Sequence, residues 1–204
     1  MAVVLPVKVR SVYHHFGDKK DVYYPVIKGM QNITFQEYIN SAIQNQIHQL
    51  IVIQESFRPK TELLGTFELK NNQRNVLSLS ITNYTYHDRA AHGMTIIKSL
   101  NFDLEKQNLI SLSDLFKPNS DYIERLSAII HEQIKQRDIP VISEFTKINP
   151  DQDFYLADRS LVIYFQLYDI TPYYYGFPMF PISIYEIYDI IKEDGPLGRL
   201  SVNN

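Results

Sequence analysis

The sequence predicts an α+β fold with antiparallel sheets packed against two long helices. Three observations carry this. Apolar residues alternate with polar ones at period two in several runs, most clearly Leu63 to Leu69 and Leu77 to Ile81. Two other segments, 32–51 and 120–139, repeat their apolar residues at helical spacing. The strand runs are also grouped, not interleaved one by one with helices, which separates α+β from a parallel α/β architecture.

The elements follow in order. Val3 to Tyr13 alternates loosely and reads as a strand, and Gly17-Asp18 turns it into a second strand at Asp21 to Lys28. Pro25 points to an edge position for that strand, since proline cannot donate to a ladder. In the first helix Thr34 is the expected N-cap, with Glu37 completing a capping box. Phe35, Ile39, Ala42, Ile43, Ile47 and Leu50 form its apolar face, and the opposite face is Gln- and Asn-rich. Leu63, Gly65, Phe67 and Leu69, a polar turn at 71–75, and Leu77, Leu79 and Ile81 predict a β-hairpin with one buried face. Beyond a His-containing loop, Met94, Ile96, Leu100, Phe102 and Leu104 continue an antiparallel meander. Ser113 to Phe116 reads as a short helical turn. Ser120 then caps the second helix, with Ile123, Leu126, Ile130 and Ile134 facing inward and Ile139-Pro140 ending it. Strands at 154–157 and 161–167 flank an Asp158-Arg159 turn, and Phe180, Ile182 and Ile184 make a last strand. Residues 185–192 read as a closing helical turn, and Gly195-Pro196 onward as a frayed tail.

Composition narrows the function. The 204 residues suit one large domain or two small units sharing a core. A net charge of −3 and no basic stripe argue against nucleic acid as a partner. The absence of Cys removes disulfides, thiolate nucleophiles and Cys-based zinc sites. The opening MAVVLPVKVR is too short and interrupted for a signal peptide or a membrane-spanning segment, so the chain is either cytosolic or has lost a targeting segment. Fifteen Tyr and eleven Phe with no Trp suit half-buried sheets and wet binding surfaces alike.

Two constellations are candidates for chemistry or binding. In His87-Asp88-Arg89-Ala90-Ala91-His92-Gly93, His87 and His92 could join Asp88 around a metal if the loop folds back, or the segment is ordinary turn chemistry. His14-His15 cannot chelate together, because strand alternation sends the rings to opposite faces. The second candidate is the run Tyr168 to Ile184. Pro172, Pro178 and Pro181 stiffen a segment carrying Tyr168, Tyr173, Tyr174, Tyr175 and Phe177, which serves either as a recognition surface or as a plug in the core. No GxSxG elbow, SxxK motif or phosphate-cradling loop is present, and Asp151 and Asp153 read as turn residues, so no catalytic residue and no cofactor is assigned.

The order of several short motifs resembles a bacterial family, the domain of unknown function 3298, with a smaller region similar to domain of unknown function 4163 ahead of it. His92-Gly93 resembles the family's glycine-containing loop, with Ala90-Ala91 where glycines are usual. The strand Leu100-Asn101-Phe102-Asp103-Leu104, the turn Asp114-Leu115-Phe116, and Phe154-Tyr155-Leu156 followed by Leu161 to Phe165 resemble family segments in the same order. So does Tyr168-Asp169-Ile170-Thr171-Pro172-Tyr173 with Gly176. The resemblance implies an N-terminal unit at 1–83, a C-terminal unit at 84–192 and a tail at 193–204. It implies an extracytoplasmic setting at the cell wall, as in the ectodomain of a lysozyme-binding anti-sigma factor or beside peptidoglycan deacetylase domains. The expectation is a non-catalytic sensory or accessory domain that binds a lysozyme-like protein or a cell-wall glycan, with Tyr168, Tyr173, Tyr174, Tyr175, Phe177 and His92 as ligand-binding candidates. The alternatives are a cell-wall polymer hydrolase, metal-assisted through His87 and His92, and a cytosolic structural protein.

Overall fold

The structure, a computed structural model, describes residues 5–202. Val3 and Val4 of the expected first strand lie outside the described residues, as do Asn203 and Asn204 of the expected tail. The fold is α+β. A six-stranded sheet runs in sequence order through β1 (Lys8–His15), β2 (Lys20–Lys28), β3 (Thr61–Gln73), β4 (Val76–His87), β5 (Met94–Asp103) and the short β6 (Asn108–Leu109). A three-stranded sheet contains β7 (Phe154–Ala157), β8 (Ser160–Tyr164) and β9 (Met179–Ser183). The helices are α1 (Ile33–Ile53, 21 residues), α2 (Tyr122–Gln136, 15 residues) and α3 (Pro196–Ser201, 6 residues).

The large sheet is mixed, which corrects the expectation of purely antiparallel sheets. β2 pairs with β3 in parallel, through Lys20–Val22 against Leu63–Gly65, because α1 carries the chain back before β3 begins. Beyond Val22 the two strands separate. There the amide of Asn40 replaces the missing neighbour, donating to Ile27 C=O at 3.0 Å and accepting from Ile27 N–H at 2.8 Å. By alternation Pro25 presents the same edge as Ile27, so its missing N–H faces the gap and costs the β1–β2 ladder nothing.

Local signals explain most element ends. Asn32, not Thr34, is the N-cap of α1: its side chain accepts from Phe35 N–H at 3.0 Å, which starts the helix two residues earlier than a Thr34 cap would. The capping residue of α2 is Asp121 rather than Ser120. The hairpin turn is tighter than the polar run 71–75 suggests. Only Arg74 and Asn75 form it, both at positive φ (53° and 56°), the pairing that suits two antiparallel strands. The extra residue in β3 is absorbed by a bulge between Leu69 and Asn71.

One face of the large sheet packs on α1, where Leu77, Leu79 and Ile81 meet Phe35, Ile39, Ile43 and Leu50. The other face of β4 is also buried, which corrects the one-sided hairpin expected from its alternation. Ser78 and Ser80 lie against the second sheet. Ser78 Oγ donates to Asn101 Oδ1 at 2.6 Å and accepts from Leu156 N–H at 3.0 Å, and Asn101 Nδ2 donates to Phe154 C=O at 3.1 Å. The sheets therefore meet through satisfied polar groups, while a separate apolar core fills the C-terminal part, with Leu126 and Ile130 of α2 against Leu156, Leu161, Ile163, Phe180 and Ile182. The large sheet crosses the expected 83/84 division, since Tyr84 sits inside β4 and pairs with both neighbours.

The tail expectation is corrected as well. Residues 184–187 form a 3-10 turn, and the closing helix is α3, in which Leu197 and Leu200 are buried in the C-terminal core. Gly198 is required there, because a Cβ would fall 1.8 Å from Glu193 C=O oxygen. Among the described residues, no helix is long and apolar enough to cross a membrane.

Candidate functional site

The two sequence candidates come together. The loop between β4 and β5 carries His92, and the segment between β8 and β9 carries Tyr168 to Phe177. The His92 and Tyr173 rings stack with centroids 4.2 Å apart, and Tyr168 stacks on Tyr173 at 5.5 Å. His92 Nδ1 lies 2.9 Å from Gly93 C=O and its Nε2 lies 3.2 Å from Tyr168 Oη. The Gly93 carbonyl can only accept, so Nδ1 carries a proton, and in the neutral ring Nε2 is then the acceptor for the Tyr168 hydroxyl. Tyr173 Oη donates to the same Gly93 carbonyl at 3.0 Å. Gly93 is needed because the Tyr84 ring lies over it, and a Cβ would come within 2.2 Å of that ring.

The aromatic segment is held by backbone hydrogen bonds of its own, by the Asp169 carboxylate and by a bond from the loop at Ile142. Tyr173–Tyr175 form a 3-10 turn with Tyr175 N–H bonded to Pro172 C=O at 3.0 Å, and Gly176 (φ 81°) ends it. Gln166 N–H donates to Asp169 Oδ2 at 2.8 Å, and Ile142 N–H donates to Ile170 C=O at 3.0 Å. Tyr168 sits in the left-handed region (φ 69°), an uncommon conformation for a bulky residue that costs about 1–3 kcal/mol. That conformation delivers its ring to His92.

The run thus divides its labour. Tyr168 is exposed and Tyr174 is 79% exposed, while Tyr175 packs on the C-terminal core and Phe177 is half-buried. His87 and His92 border one depression of about 410 Å³, shared with the end of α1 and the start of β5. His87 Nδ1 is 2.9 Å from Thr61 Oγ1. Among the described residues, no group of three or more His, Asp or Glu side chains is placed to hold a metal ion.

A polar cleft of about 500 Å³ lies on the other side of the Gln166–Ile170 turn, and sequence reasoning missed it. Lys98 Nζ bonds both Asp153 oxygens at 2.9 and 2.8 Å, and Gln166 Nε2 donates to Asp153 Oδ2 at 2.8 Å. Behind them the Tyr164 hydroxyl pairs with Ser99 Oγ at 2.9 Å. Burial, reinforced by the negative charge of Asp153, holds the Tyr164 phenol well above the ordinary tyrosine range. From the sequence, Asp153 reads as a turn residue. Nothing local announces a lysine partner 55 positions away.

Residues 113–185 match the family described as protein of unknown function DUF3298. Residues 19–95 match a second family, described as deacetylase PdaC. Over 149 residues the chain is 29% identical to the peptidoglycan-N-acetylmuramic acid deacetylase PdaC of Bacillus subtilis, covering 70% of this chain and 32% of that protein. Over 176 residues it is 28% identical to the anti-sigma-V factor RsiV of the same organism, covering 79% of this chain and 61% of that protein. The chain therefore spans less than two thirds of either relative. Two crystal structures share the fold over nearly their whole length. A DUF3298 family member from Bacteroides fragilis has a TM-score of 0.70 at 15% identity, covering 97% of this chain and 98% of that one. A DUF3298 family protein from Pseudomonas aeruginosa has a TM-score of 0.68 at 16% identity, covering 99% of each chain.

Proposed function

We propose that this protein is a non-catalytic, extracytoplasmic recognition module that binds a lysozyme-like protein through Tyr168 to Phe177 and His92. The observation that carries the reading is the stacked His92–Tyr173–Tyr168 cluster, which fixes the base of a loop whose tip, Tyr174, stands free. A loop ordered before binding loses little entropy on docking, and tyrosine supplies large contact area with few rotatable bonds. The strained Tyr168 backbone supports the same reading, since folds retain such conformations where a side chain must be aimed. Under it, the 84–192 unit presents the partner-facing loops and the 1–83 unit supports them. Likeness to an anti-sigma factor and to a cell-wall deacetylase supports the cell-surface setting.

The test is calorimetric titration of the chain with a C-type lysozyme and, separately, with solubilised peptidoglycan fragments. Lysozyme binding that weakens about tenfold or more in Tyr174→Ala, at unchanged melting temperature, is expected. Unchanged lysozyme affinity in that variant refutes the loop as the contact. Binding of the fragments alone transfers the loop to a glycan, and their turnover makes the protein a hydrolase.

A further inference from the structure

The large sheet ends on β1, and one side of that strand has no neighbour. The ladder fixes which groups face outward. Phe16 N–H donates to Lys20 C=O at 3.1 Å, so Lys20 turns its backbone toward β1, while Ile27 turns its own away from β1 to Asn40. Alternation then gives Val22, Tyr24, Val26 and Lys28 the bonds to β1, and their register partners are His14, Val12, Arg10 and Lys8. The residues between them, Val9, Ser11, Tyr13 and His15, aim their N–H and C=O groups at the open edge. Among the described residues, nothing bonds to those groups. Such a row is a template for one more strand. We propose that β1 receives an extended, acidic peptide segment of a protein partner, which adds to the sheet beside Val9 to His15. This surface is independent of the Tyr168–Phe177 loop and does not rest on its reading.

The side chains beside the edge set the charge of the guest. Lys8 and Lys28 stand directly opposite each other in the register, and Arg10 shares their face of the ribbon by alternation. All three are exposed, and none has a carboxylate partner among the described residues. Like charges directly opposite on a sheet are destabilising, and an incoming carboxylate removes that cost. The one carboxylate of the two strands, Asp21, lies at the far end of the ladder, where its Oδ1 is engaged by Tyr13 Oη at 2.7 Å and His15 Nδ1 at 2.9 Å. Carboxylates at alternate positions of an added strand share one face and meet Lys8, Arg10 and Lys28 together. A second copy of the chain is disfavoured, because it brings another Lys8 and Arg10 to the same edge, and edge cations oppose such pairing. A nucleic acid carries the negative charge but no backbone that alternates N–H with C=O.

The probe is a capped peptide as long as the open edge, alternating glutamate with threonine, titrated against the whole chain up to roughly millimolar concentration. A lysine–threonine peptide is the control, and amide hydrogen exchange by NMR reads the contact residue by residue. The acidic peptide should slow exchange at Ser11 and Tyr13, whose N–H groups face outward, and leave Arg10 and Val12, already bonded to β2, unchanged. Ser11→Pro removes an outward donor and no β1–β2 bond, so the ladder is kept and binding should weaken about tenfold or more. Lys8→Glu combined with Arg10→Glu should weaken it similarly and turn the preference to the lysine peptide. These two positions are exposed, and melting temperatures check the fold of every variant. No binding of the acidic peptide by the wild type overturns the proposal. Unchanged binding in Ser11→Pro, equal binding of the two peptides, or slowed exchange confined to Tyr168–Phe177 also overturns it. Self-association of the wild type that Ser11→Pro abolishes assigns the edge to a second copy of the chain and overturns it as well.

Discussion

Replacing Arg199 by Met should destabilise the fold by about 2–4 kcal/mol, through one buried carboxylate. Asp103 is 2% exposed and its Oδ1 accepts from Arg199 Nη2 at 2.6 Å, while Arg199 is itself 17% exposed. The same oxygen accepts from the N–H groups of Glu105 at 3.0 Å and Lys106 at 3.1 Å. Breaking a fully buried ion pair costs about 3–5 kcal/mol, because one charge is left uncompensated. The two backbone donors remain in the variant and the guanidinium site reaches water at one side, which lowers the figure. Arg199 Nε also donates to Arg74 C=O at 3.3 Å, and Arg74 Nη1 returns bonds to Arg199 C=O at 2.9 Å and Leu200 C=O at 3.2 Å. The pair therefore joins α3 to the β3–β4 turn. In a chain of this size, each kcal/mol shifts the melting temperature by about 2–4 °C, so a fall of roughly 5–15 °C is expected. Urea denaturation followed by circular dichroism gives the free energy directly. Adding Asp103→Asn should recover part of the loss, since an amide oxygen still accepts from Glu105 and Lys106 without a buried charge. A loss below about 0.5 kcal/mol in Arg199→Met would refute the docking of α3 and restore the tail as a frayed segment.

Two further perturbations test the site and the cleft. Gly93→Ala places a Cβ within 2.2 Å of the Tyr84 ring, so it should cost about 1–2 kcal/mol. The same change in a Tyr84→Ala background should cost nearly nothing; an equal cost in both backgrounds, read by urea titration, removes the ring contact from the explanation. Tyr164 tests the sign of a linkage. Its phenol is held above the ordinary tyrosine range in the fold and ionises near pH 10 once unfolded. The unfolded state then binds fewer protons above pH 10, so stability is constant below that pH and falls as pH rises beyond it. Tyr164→Phe should flatten the fall, and an unchanged slope in stability measured from pH 9 to 11 would refute it.

What was legible in the sequence was what local chemistry decides. The helices at 33–53 and 122–136 and the hairpin through Arg74-Asn75 follow from spacing and turn residues that act within a few positions. What was not legible depends on distant partners. Ser78 and Ser80 have the pattern of a solvated face, yet they are buried because β7 arrives from more than seventy positions away. Pro196 to Ser201 looked like a tail because so short an apolar stretch carries no periodicity, and its burial depends on Asp103, 96 positions earlier. The candidate site divides in the same way. Proline and tyrosine content marked Tyr168 to Phe177 as unusual, and the ordered family motifs marked His92-Gly93, but their contact spans 76 positions and no local rule joins them.

A single device links the scaffold to that contact. Three side-chain amides each stand in for a missing strand, accepting one residue's N–H and donating to its C=O: Asn40 at Ile27, Asn72 at Val7, and Gln166 at Ile97. An amide carries the same donor and acceptor as a peptide group, so it can close a ladder where strands diverge without adding another strand. The first two seal the gap where β2 and β3 separate. Gln166 does something more. It binds the open edge of β5 at Ile97, holds Asp153, and through its own N–H begins the turn that leads into Tyr168. The left-handed backbone of Tyr168 is thus anchored two residues upstream to the sheet and, through its hydroxyl, to His92 at the mouth of the same strand. Held at both points, the loop has little freedom to relax its strain by moving away. The aromatic tip is therefore aimed by the large sheet as much as by the segment that carries it.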